Sequence, residues 1–163
     1  MISVAEQVDK LEYSKLCDIY RDDLEKNRKK FYSAIAEAEG IEYAKQDYYL
    51  YLKNVFFRQY RGKMFIYQND NRYVSVVCLE LFEDGMLLNS LVTVSEERRK
   101  GYAFRLLSYA LDYCKSRPIY AHIYYKNIAS QRLHEKLGFT LLRESAHMLD
   151  GSVRSDHFTY ILK

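Results

Sequence analysis

Tryptophan is missing from the 163-residue sequence, and proline, glycine and cysteine are scarce, with one, six and three residues respectively. Because so little proline and glycine is present, no stretch reads as a linker, and we expect a single domain over residues 1–163. Cys17, Cys78 and Cys114 are odd in number and widely spaced, which excludes a disulfide framework and a zinc knuckle. We therefore expect buried thiols in a reducing cytoplasm, and no bound metal.

Long apolar runs and a strong excess of one charge are also absent. No stretch approaches the length of a membrane-spanning helix, and the first residues lack the pattern of a signal peptide. The 25 Lys and Arg residues against 22 Asp and Glu residues give a net charge of +3. That excess is too small for the basic face of a nucleic-acid-binding protein. We therefore expect neither nucleic acid nor a membrane as a partner.

Hydrophobic periodicity divides the chain near residue 62. The first part has apolar residues at helical spacing, with Gly40 as a predicted helix stop, and from Met64 onward the spacing changes to two. Strands are predicted at 64–67, 73–82, 86–94, 119–125, 139–148 and 157–162, the last two joined by a turn at 149–152. Two further helices are predicted, one after Gly101 and one between Asn127 as N-cap and Gly138 as stop. A strand–helix–strand step after a three-strand meander indicates an α/β (α+β) fold with a mixed sheet covered by helices.

The segment Arg98-Arg99-Lys100-Gly101-Tyr102-Ala103 opens the helix after the third predicted sheet strand. The first N–H groups of a helix have no partner within the helix, and the helix dipole adds positive charge there. Gly101 has no Cβ, so an anion can approach the backbone closely. These features predict a phosphate site. A Walker loop and a dinucleotide fingerprint are both excluded, because each requires further glycines that are absent here.

Two motifs together resemble the GCN5-related N-acetyltransferase (GNAT) superfamily. The first is Arg98-x-x-Gly101-x-Ala103, which matches the family's Arg/Gln-x-x-Gly-x-Gly/Ala turn. The second runs from Asn127-x-x-Ser130 through Leu133-His134-Glu135-Lys136-Leu137-Gly138-Phe139. The resemblance covers roughly residues 63–162 and implies a mostly antiparallel sheet of six to seven strands. It assigns residues 1–62 to a variable helical segment on the acceptor side.

The resemblance implies acetyl-CoA as co-substrate, without a metal. In the family, the pantetheine arm pairs with the strand before the basic turn, and the backbone of the turn holds the pyrophosphate. Asn127 would contact the pantetheine arm, although helix capping alone also explains it, and Ser130 would lie on the phosphate side. The cofactor-binding residues implied in this way are Leu91, Val92, Thr93, Arg98, Arg99, Lys100, Gly101, Tyr102, Ala103, Phe104, Asn127 and Ser130.

Three side chains are candidates for proton transfer. His134 stands where the family most often has a tyrosine as general acid, and some branches carry histidine there. His122 lies on the strand that carries a glutamate base in some members, and Glu80 is a carboxylate within an apolar strand. We hypothesise that His122 and His134 act as base and acid, with Glu80 as a further candidate base. The alternatives are that both histidines only pack or shape the site and that Glu80 is solvated near the strand end.

The sequence therefore predicts an N-acetyltransferase that transfers acetyl from acetyl-CoA to a primary amine of a small molecule or peptide by direct attack. The alternative is a non-catalytic acyl-CoA-binding or sensing domain, favoured by the missing tyrosine. The resemblance is also compatible with a homodimer. Nothing in the sequence selects the acceptor amine.

Overall fold

The computed structural model describes residues 1–115 and 118–163. Its helices are α1 (Tyr13–Ile19), α2 (Arg21–Phe31), α3 (Glu37–Tyr51), α4 (Tyr102–Tyr113) and α5 (Ile128–Lys136), and a π-helical segment, Leu52–Phe56, extends α3. Its strands are β1 (Ile2–Ala5), β2 (Lys63–Asn69), β3 (Arg72–Phe82), β4 (Gly85–Thr93), β5 (Ile119–Tyr124), β6 (Thr140–Arg143), β7 (Ala146–His147), β8 (Val153–Arg154) and β9 (His157–Leu162). No helix in the described ranges is long and apolar enough to cross a membrane.

Seven strands form one sheet in the order β1-β2-β3-β4-β5-β9-β6. The pair β4–β5 is parallel, and the other pairs in this sheet are antiparallel. A separate ribbon consists of β7 and β8. The predicted α/β class, with a mostly antiparallel sheet of six to seven strands flanked by helices, is confirmed.

Helices cover both faces of the sheet. On one face, Leu106, Leu107 and Ala110 of α4 are fully buried against a cluster that includes Val77 and Leu79 of β3. Leu133 and Leu137 from the α5 region join this cluster, so α4 and α5 share a face. The predicted apolar stripe of α4 is confirmed, because these side chains recur at helical spacing.

The opposite face is covered by the N-terminal helices. Leu16 of α1 and Leu52 and Phe56 of the π-helical segment are buried against Met64 and Cys78 of the sheet. We call this the α1–α3 face. The three cysteines are buried, as expected.

The N-terminal part differs from the prediction at two points. Residues Ile2–Ala5 form a strand rather than a helix, because they pair along the edge of β2, from Ile2 opposite Tyr67 to Ala5 opposite Met64. Gly40 does not stop a helix but lies buried within α3. A Cβ there would be 3.1 Å from Cγ of Arg28, so glycine at this position allows α2 and α3 to pack closely.

The prediction of one strand over residues 139–148 is also wrong in part, because the strand is interrupted at residues 144–145. Its first half, β6, pairs with β9 in the main sheet, and its second half, β7, pairs with β8. The hydroxyl of Thr159 in β9 donates a hydrogen bond of 2.7 Å to the carbonyl of Ser145. This long-range contact holds the chain where the two halves separate.

The parallel strands β4 and β5 diverge soon after they meet. Their register contains three pairs, Met86–Ile119, Leu87–Tyr120 and Leu88–Ala121, and both strands then continue apart. A bulge in β4 accompanies the divergence, since Val76 and Cys78 of β3 lie opposite Val92 and Asn89. Ser90, within the bulge, has a positive φ of 52°. We call the point of divergence after the Leu88–Ala121 pair the fork.

Gly85 fixes the closed end of the fork, and its replacement should destabilise the protein. A Cβ at residue 85 would lie 2.0 Å from the carbonyl oxygen of Pro118, which accepts a hydrogen bond of 3.0 Å from the Met86 N–H. We expect Gly85→Ala to lower the free energy of unfolding by about 2 kcal/mol, measured by urea denaturation. Gly151→Ala is the control. Its φ of 81° is left-handed, unlike that of Gly85, but a Cβ there meets nothing within 4 Å. It should cost about 1 kcal/mol, and an equal loss in both variants would contradict the prediction.

Candidate active site

Beyond the fork, β4 presents backbone that no longer pairs with β5. The predicted pantetheine residues Leu91, Val92 and Thr93 lie here, and all three are half-buried. Their N–H and C=O groups on the β5 side are not used in the β4–β5 register, which ends at Leu88. Such backbone can pair with an extended chain in the way that a further strand would.

The predicted phosphate turn has the backbone of an anion site. Arg99 has a φ of 64°, and Gly101, the N-cap of α4, has a φ of 82°. The first helical bond of α4 runs from the Arg105 N–H to the Gly101 carbonyl at 3.1 Å, and no side chain caps this end. The N–H groups of Tyr102, Ala103 and Phe104 are therefore the unpaired donors of the first turn. Together with the helix dipole they favour an anion at this position.

The cations of the turn are less available than their sequence suggests. Arg98 donates from Nε to the carbonyl of Thr93 at 3.1 Å, which ties the turn back to β4. Lys100 forms an ion pair of 3.0 Å with Glu97, and Glu97 also binds Arg72. Arg99 is exposed, and among the described residues its side chain has no hydrogen-bond or ion-pair partner. The backbone, with Arg99, is therefore the part of the turn open to a phosphate.

The second motif lies on α5. Oδ1 of Asn127 accepts a hydrogen bond of 3.2 Å from the Ser130 N–H, so the predicted N-cap is confirmed. His134 is buried, with 4% of its surface exposed, and its Nδ1 donates to the carbonyl of Ser130 at 2.8 Å. Burial lowers the pKa of His134, although the bond to Ser130 opposes this effect. At neutral pH the ring is therefore neutral, with its proton on Nδ1.

On the α1–α3 face, Glu80 is almost completely buried, with 1% of its surface exposed. Its Oε1 accepts a hydrogen bond from the side-chain amide of Asn89, and Oε2 is buried without a partner in the described structure. Burial raises the pKa of Glu80 to about 7, against the lowering effect of Asn89. Asn89 is the first β4 residue beyond the fork, so this carboxyl group lies beside the open part of β4.

His122 is the first β5 residue beyond the fork and lies on the same face as Glu80. Its ring contacts Phe82 edge-on, with 5.2 Å between the ring centroids. Both ring nitrogens are buried without a partner among the described residues. Burial lowers the pKa of His122 to about 4, and the positive charge of Arg143 adds to this effect. His122 is therefore neutral at pH 7.

The structure divides the three proton-transfer candidates between the two sheet faces. Glu80 and His122 lie on the α1–α3 face on either side of the fork, whereas His134 lies on α5, which packs against the other face. Asn89 was not predicted as a site residue, although an amide that follows the apolar run Met86-Leu87-Leu88 is a usable sequence signal for one.

Tyr20, at the end of α1, is a second residue that was not predicted, and unlike Asn89 it has no sequence signal. It is buried, and its hydroxyl donates to the carbonyl of Ser90 in the bulge at 3.0 Å. Burial raises the pKa of Tyr20 well above its ordinary value, so the hydroxyl stays protonated and remains a donor. The contact joins the N-terminal helices to the fork.

Two grooves adjoin the N-terminal helices. One, of about 1130 Å³, lies between α1, α2 and α3, and the other, of about 530 Å³, lies between α1–α2 and the end of β4 at Val92 and Thr93. Asp18, Arg21 and Asp22 line both. The N-terminal segment thus borders the strand that carries the predicted pantetheine residues. No group of three or more side chains within residues 1–115 and 118–163 has the arrangement of a metal site.

The sequence matches the model of the Acetyltransferase (GNAT) family over residues 15–139, a range that includes β4, the phosphate turn and the whole of the second motif. This chain belongs to the GNAT acetyltransferase family. The predicted resemblance is confirmed. Comparison of the sequence with curated proteins gives no significant match.

Solved structures have the same fold at low sequence identity. The PaiA N-acetyltransferase of Thermoplasma acidophilum, in complex with coenzyme A, aligns with a TM-score of 0.62 at 15% identity, covering 100% of this chain and 99% of that one. An N-acetyltransferase of Staphylococcus aureus Mu50 has a TM-score of 0.62 at 19% identity over 100% and 97% of the chains. A GNAT-family acetyltransferase of Bacillus cereus ATCC 10987 has a TM-score of 0.61, also at 19% identity, with the same coverage.

The raised pKa of Glu80 predicts a stability effect with a definite sign. The carboxyl titrates near its ordinary value of 4.5 in the unfolded chain and near 7 in the folded protein. The folded state therefore binds more protons between these values, and stability is lost as the pH rises through them. Glu80→Gln does not titrate, so from pH 5 to pH 8 its free energy of unfolding should rise relative to the wild type, by up to about 3 kcal/mol. Urea denaturation at both pH values measures this, with the exposed Glu144→Gln as control. A difference that does not depend on pH would contradict the raised pKa.

Proposed function

We propose that this protein transfers an acetyl group from acetyl-CoA to a primary amine of a small molecule or peptide. One observation carries the proposal: the fork leaves the β5 side of β4 unpaired along Leu91–Thr93, and residues 94–97 then lead into the phosphate turn at the start of α4. An extended thioester with a diphosphate at its far end matches this sequence of binding groups. Membership of the GNAT family and the coenzyme A complex of the Thermoplasma acidophilum protein support the same donor.

The residues proposed to hold acetyl-CoA follow the open strand and the turn. Leu91, Val92 and Thr93 would pair with the pantetheine arm through their backbone, and the N–H groups of residues 101–104 would bind the pyrophosphate. Asn127 and Ser130 are proposed to contact the cofactor from α5. Because Asn127 also caps this helix, its two roles coexist. The cofactor supplies an activated acetyl group, and the remaining chemistry belongs to the protein.

In the proposed reaction, the amine nitrogen forms a bond to the acetyl carbonyl carbon, and the carbon–sulfur bond breaks. The amine gives up a proton to a base, and coenzyme A leaves as a thiolate. Glu80 is the base that the structure favours, because its orphan Oε2 is beside the fork and its pKa of about 7 lets it accept a proton at neutral pH. His122 is the weaker candidate, since a pKa of about 4 makes it a poor proton acceptor.

His134 remains the proposed acid, but with less support from its surroundings. A neutral imidazole whose proton is on Nδ1 has none to give from Nε2, and burial keeps its pKa low. A thiol has a pKa of about 8.5, so the thiolate can leave without protonation. We therefore assign the essential proton transfer to Glu80 and treat protonation by His134 as dispensable.

A second candidate function is binding of acyl-CoA without catalysis. Its support is the neutral, buried His134 at the position where the family most often has a tyrosine. The two functions are distinguished by thiol release from acetyl-CoA in the presence of an amine panel, because a sensor would bind coenzyme A and release none. Mass measurement of an acetylated product would confirm transfer.

Gly101→Val should weaken coenzyme A binding while leaving the fold intact. A Cβ at residue 101 meets only the side chain of Arg105, at 3.6 Å, so the protein has room for it. The valine side chain would occupy space beside the free N–H groups where a phosphate must lie. We expect the Kd for coenzyme A, measured by calorimetry, to rise at least about 10-fold. Gly151→Val, at the other left-handed turn, controls for backbone strain, and unchanged affinity in Gly101→Val would contradict the proposed phosphate site.

Glu80→Gln should lower kcat about 10²-fold or more, because the neutral amide cannot take the proton of the amine. In the wild type, kcat/KM should rise with pH through an apparent pKa near 7, set by Glu80. In the variant, the rise of kcat/KM near pH 7 should disappear. The rise at higher pH, which is caused by deprotonation of the acceptor amine, should remain. Glu144→Gln, on the exposed loop after β6, should behave as the wild type. An unchanged pH profile in Glu80→Gln would exclude Glu80 as the base.

A further inference from the structure

Four buried polar atoms on one face of the sheet have no partner among the described residues. They are Oε2 of Glu80, both ring nitrogens of His122 and Nε of Arg143. A buried polar atom without a partner costs roughly 1–3 kcal/mol, and native structures rarely keep several together without a ligand or water. The proposed role of Glu80 as the catalytic base accounts for its unpaired oxygen. That role does not account for the unpaired nitrogens of His122 and Arg143.

The sheet brings Arg143 and His122 into one row. Thr159 of β9 lies opposite His122 of β5 and also opposite Arg143 of β6, so all three side chains project from the α1–α3 face. The hydroxyl of the middle residue is already bonded to Ser145. Only the two outer residues of the row have unsatisfied groups.

The guanidinium group of Arg143 extends across the sheet toward the closed end of the fork. Its terminal nitrogen is 3.4 Å from Oε1 of Glu83, in the turn between β3 and β4. Glu83 follows Phe82, whose ring contacts His122. The charge of Arg143 acts on His122, since it helps to lower the pKa of that imidazole. The guanidinium and the imidazole thus flank the same part of the face.

The electrostatics of this region suit an anion. Arg143 makes one contact with Glu83, at 3.4 Å, and this contact uses one terminal nitrogen of the guanidinium group. The Arg143 side chain is 31% exposed, so a ligand can reach the guanidinium group. Arg143 is the cation that acts on His122, and Glu83 is the opposing charge there. A neutral imidazole adds a hydrogen-bond donor without the cost of burying a second charge.

From this arrangement we infer that the acceptor carries a carboxylate as well as its amine, and that Arg143 and His122 bind the carboxylate. This inference rests on the proposed function and names the substrate class of that site. Glu80 and His122 adjoin a buried apolar cluster of Phe82, Leu87, Tyr120 and Ile161, against which Leu149 packs. An amino acid matches a proton acceptor for its amine on one side of the fork and a cation with a neutral donor for its carboxylate on the other.

The groove between α1, α2 and α3 does not favour a polycationic acceptor instead. Its lining contains several carboxylates, but three of them are paired with nearby cations: Asp18 with Arg21, Glu25 with Arg28 and Glu42 with Lys45. The unsatisfied buried groups lie on the sheet, beside the fork.

Matched acceptors test the inference in the wild-type protein. The panel is phenylalanine against phenethylamine and leucine against 3-methylbutylamine, with phosphoethanolamine against ethanolamine to separate phosphate from carboxylate, and spermidine as a polycation. We expect kcat/KM to be at least about 10-fold higher for each amino acid than for its decarboxylated partner. Equal or reversed preference, or preference for spermidine or phosphoethanolamine, would overturn the inference.

Variants then assign the preference to Arg143. Arg143→Gln should lower kcat/KM for phenylalanine about 10- to 100-fold and for phenethylamine less than about threefold. Arg143→Lys keeps the charge and should keep part of the preference. Arg154→Gln, in the neighbouring ribbon and bonded to Asp156, is the matched control and should keep all of it. A uniform loss for both acceptors in Arg143→Gln would overturn the assignment.

A binding measurement separates failure of this inference from failure of the proposed function. If no amine releases thiol, the proposed transfer is wrong, but the carboxylate site is still tested by titrating the coenzyme A-saturated protein with N-acetylphenylalanine and with N-acetylphenethylamine. Binding of the first at least about 10-fold tighter in the wild type, lost in Arg143→Gln, supports the site. Equal affinities overturn it.

Discussion

The divergence of β4 from β5 is the constraint on which the rest of the site depends. Two parallel strands that remained paired would use all their backbone groups on each other, and no extended ligand could join the sheet. Here the register ends after Leu88 and Ala121. Gly85 sets the closed end through its approach to Pro118, and the bulge at Ser90, bonded to Tyr20, sets the open end. Strand pairing therefore creates the binding edge and also limits its length.

The fork also separates two kinds of chemistry. The face with α4 and α5 contains the phosphate turn and the capped second motif, which depend on backbone donors and helix ends. The α1–α3 face contains Glu80, Asn89, His122 and Arg143, which depend on side chains with unusual burial. A carboxyl group buried as deeply as Glu80 reduces stability at neutral pH, and such groups persist where a ligand or a reaction uses them. The division suits a family that shares one donor and varies its acceptor.

Local patterns predicted the elements that local physics controls. The stripe from Leu106 to Ala110 places α4, the side chain of Asn127 caps α5, and Gly101 takes the left-handed conformation at the phosphate turn. Predictions failed where distant contacts outweigh local preference. Ile2–Ala5 is a strand because β2 offers it an edge. Gly40 stays helical because α2 packs against it, and residues 139–148 split because β9 takes only the first half.

The sequence by itself determined the family and the class of fold and predicted the donor-side residues, because those depend on short motifs whose spacing along the chain equals their spacing in a helix or turn. Only the tertiary structure decided what the α1–α3 face contains. It paired Asn89 with Glu80 across two strands, aligned His122 with Arg143 across three, and divided the cations of the basic turn between Thr93, Glu97 and solvent. These pairings result from burial and from the register of the strands, and neither can be read from a short segment of sequence.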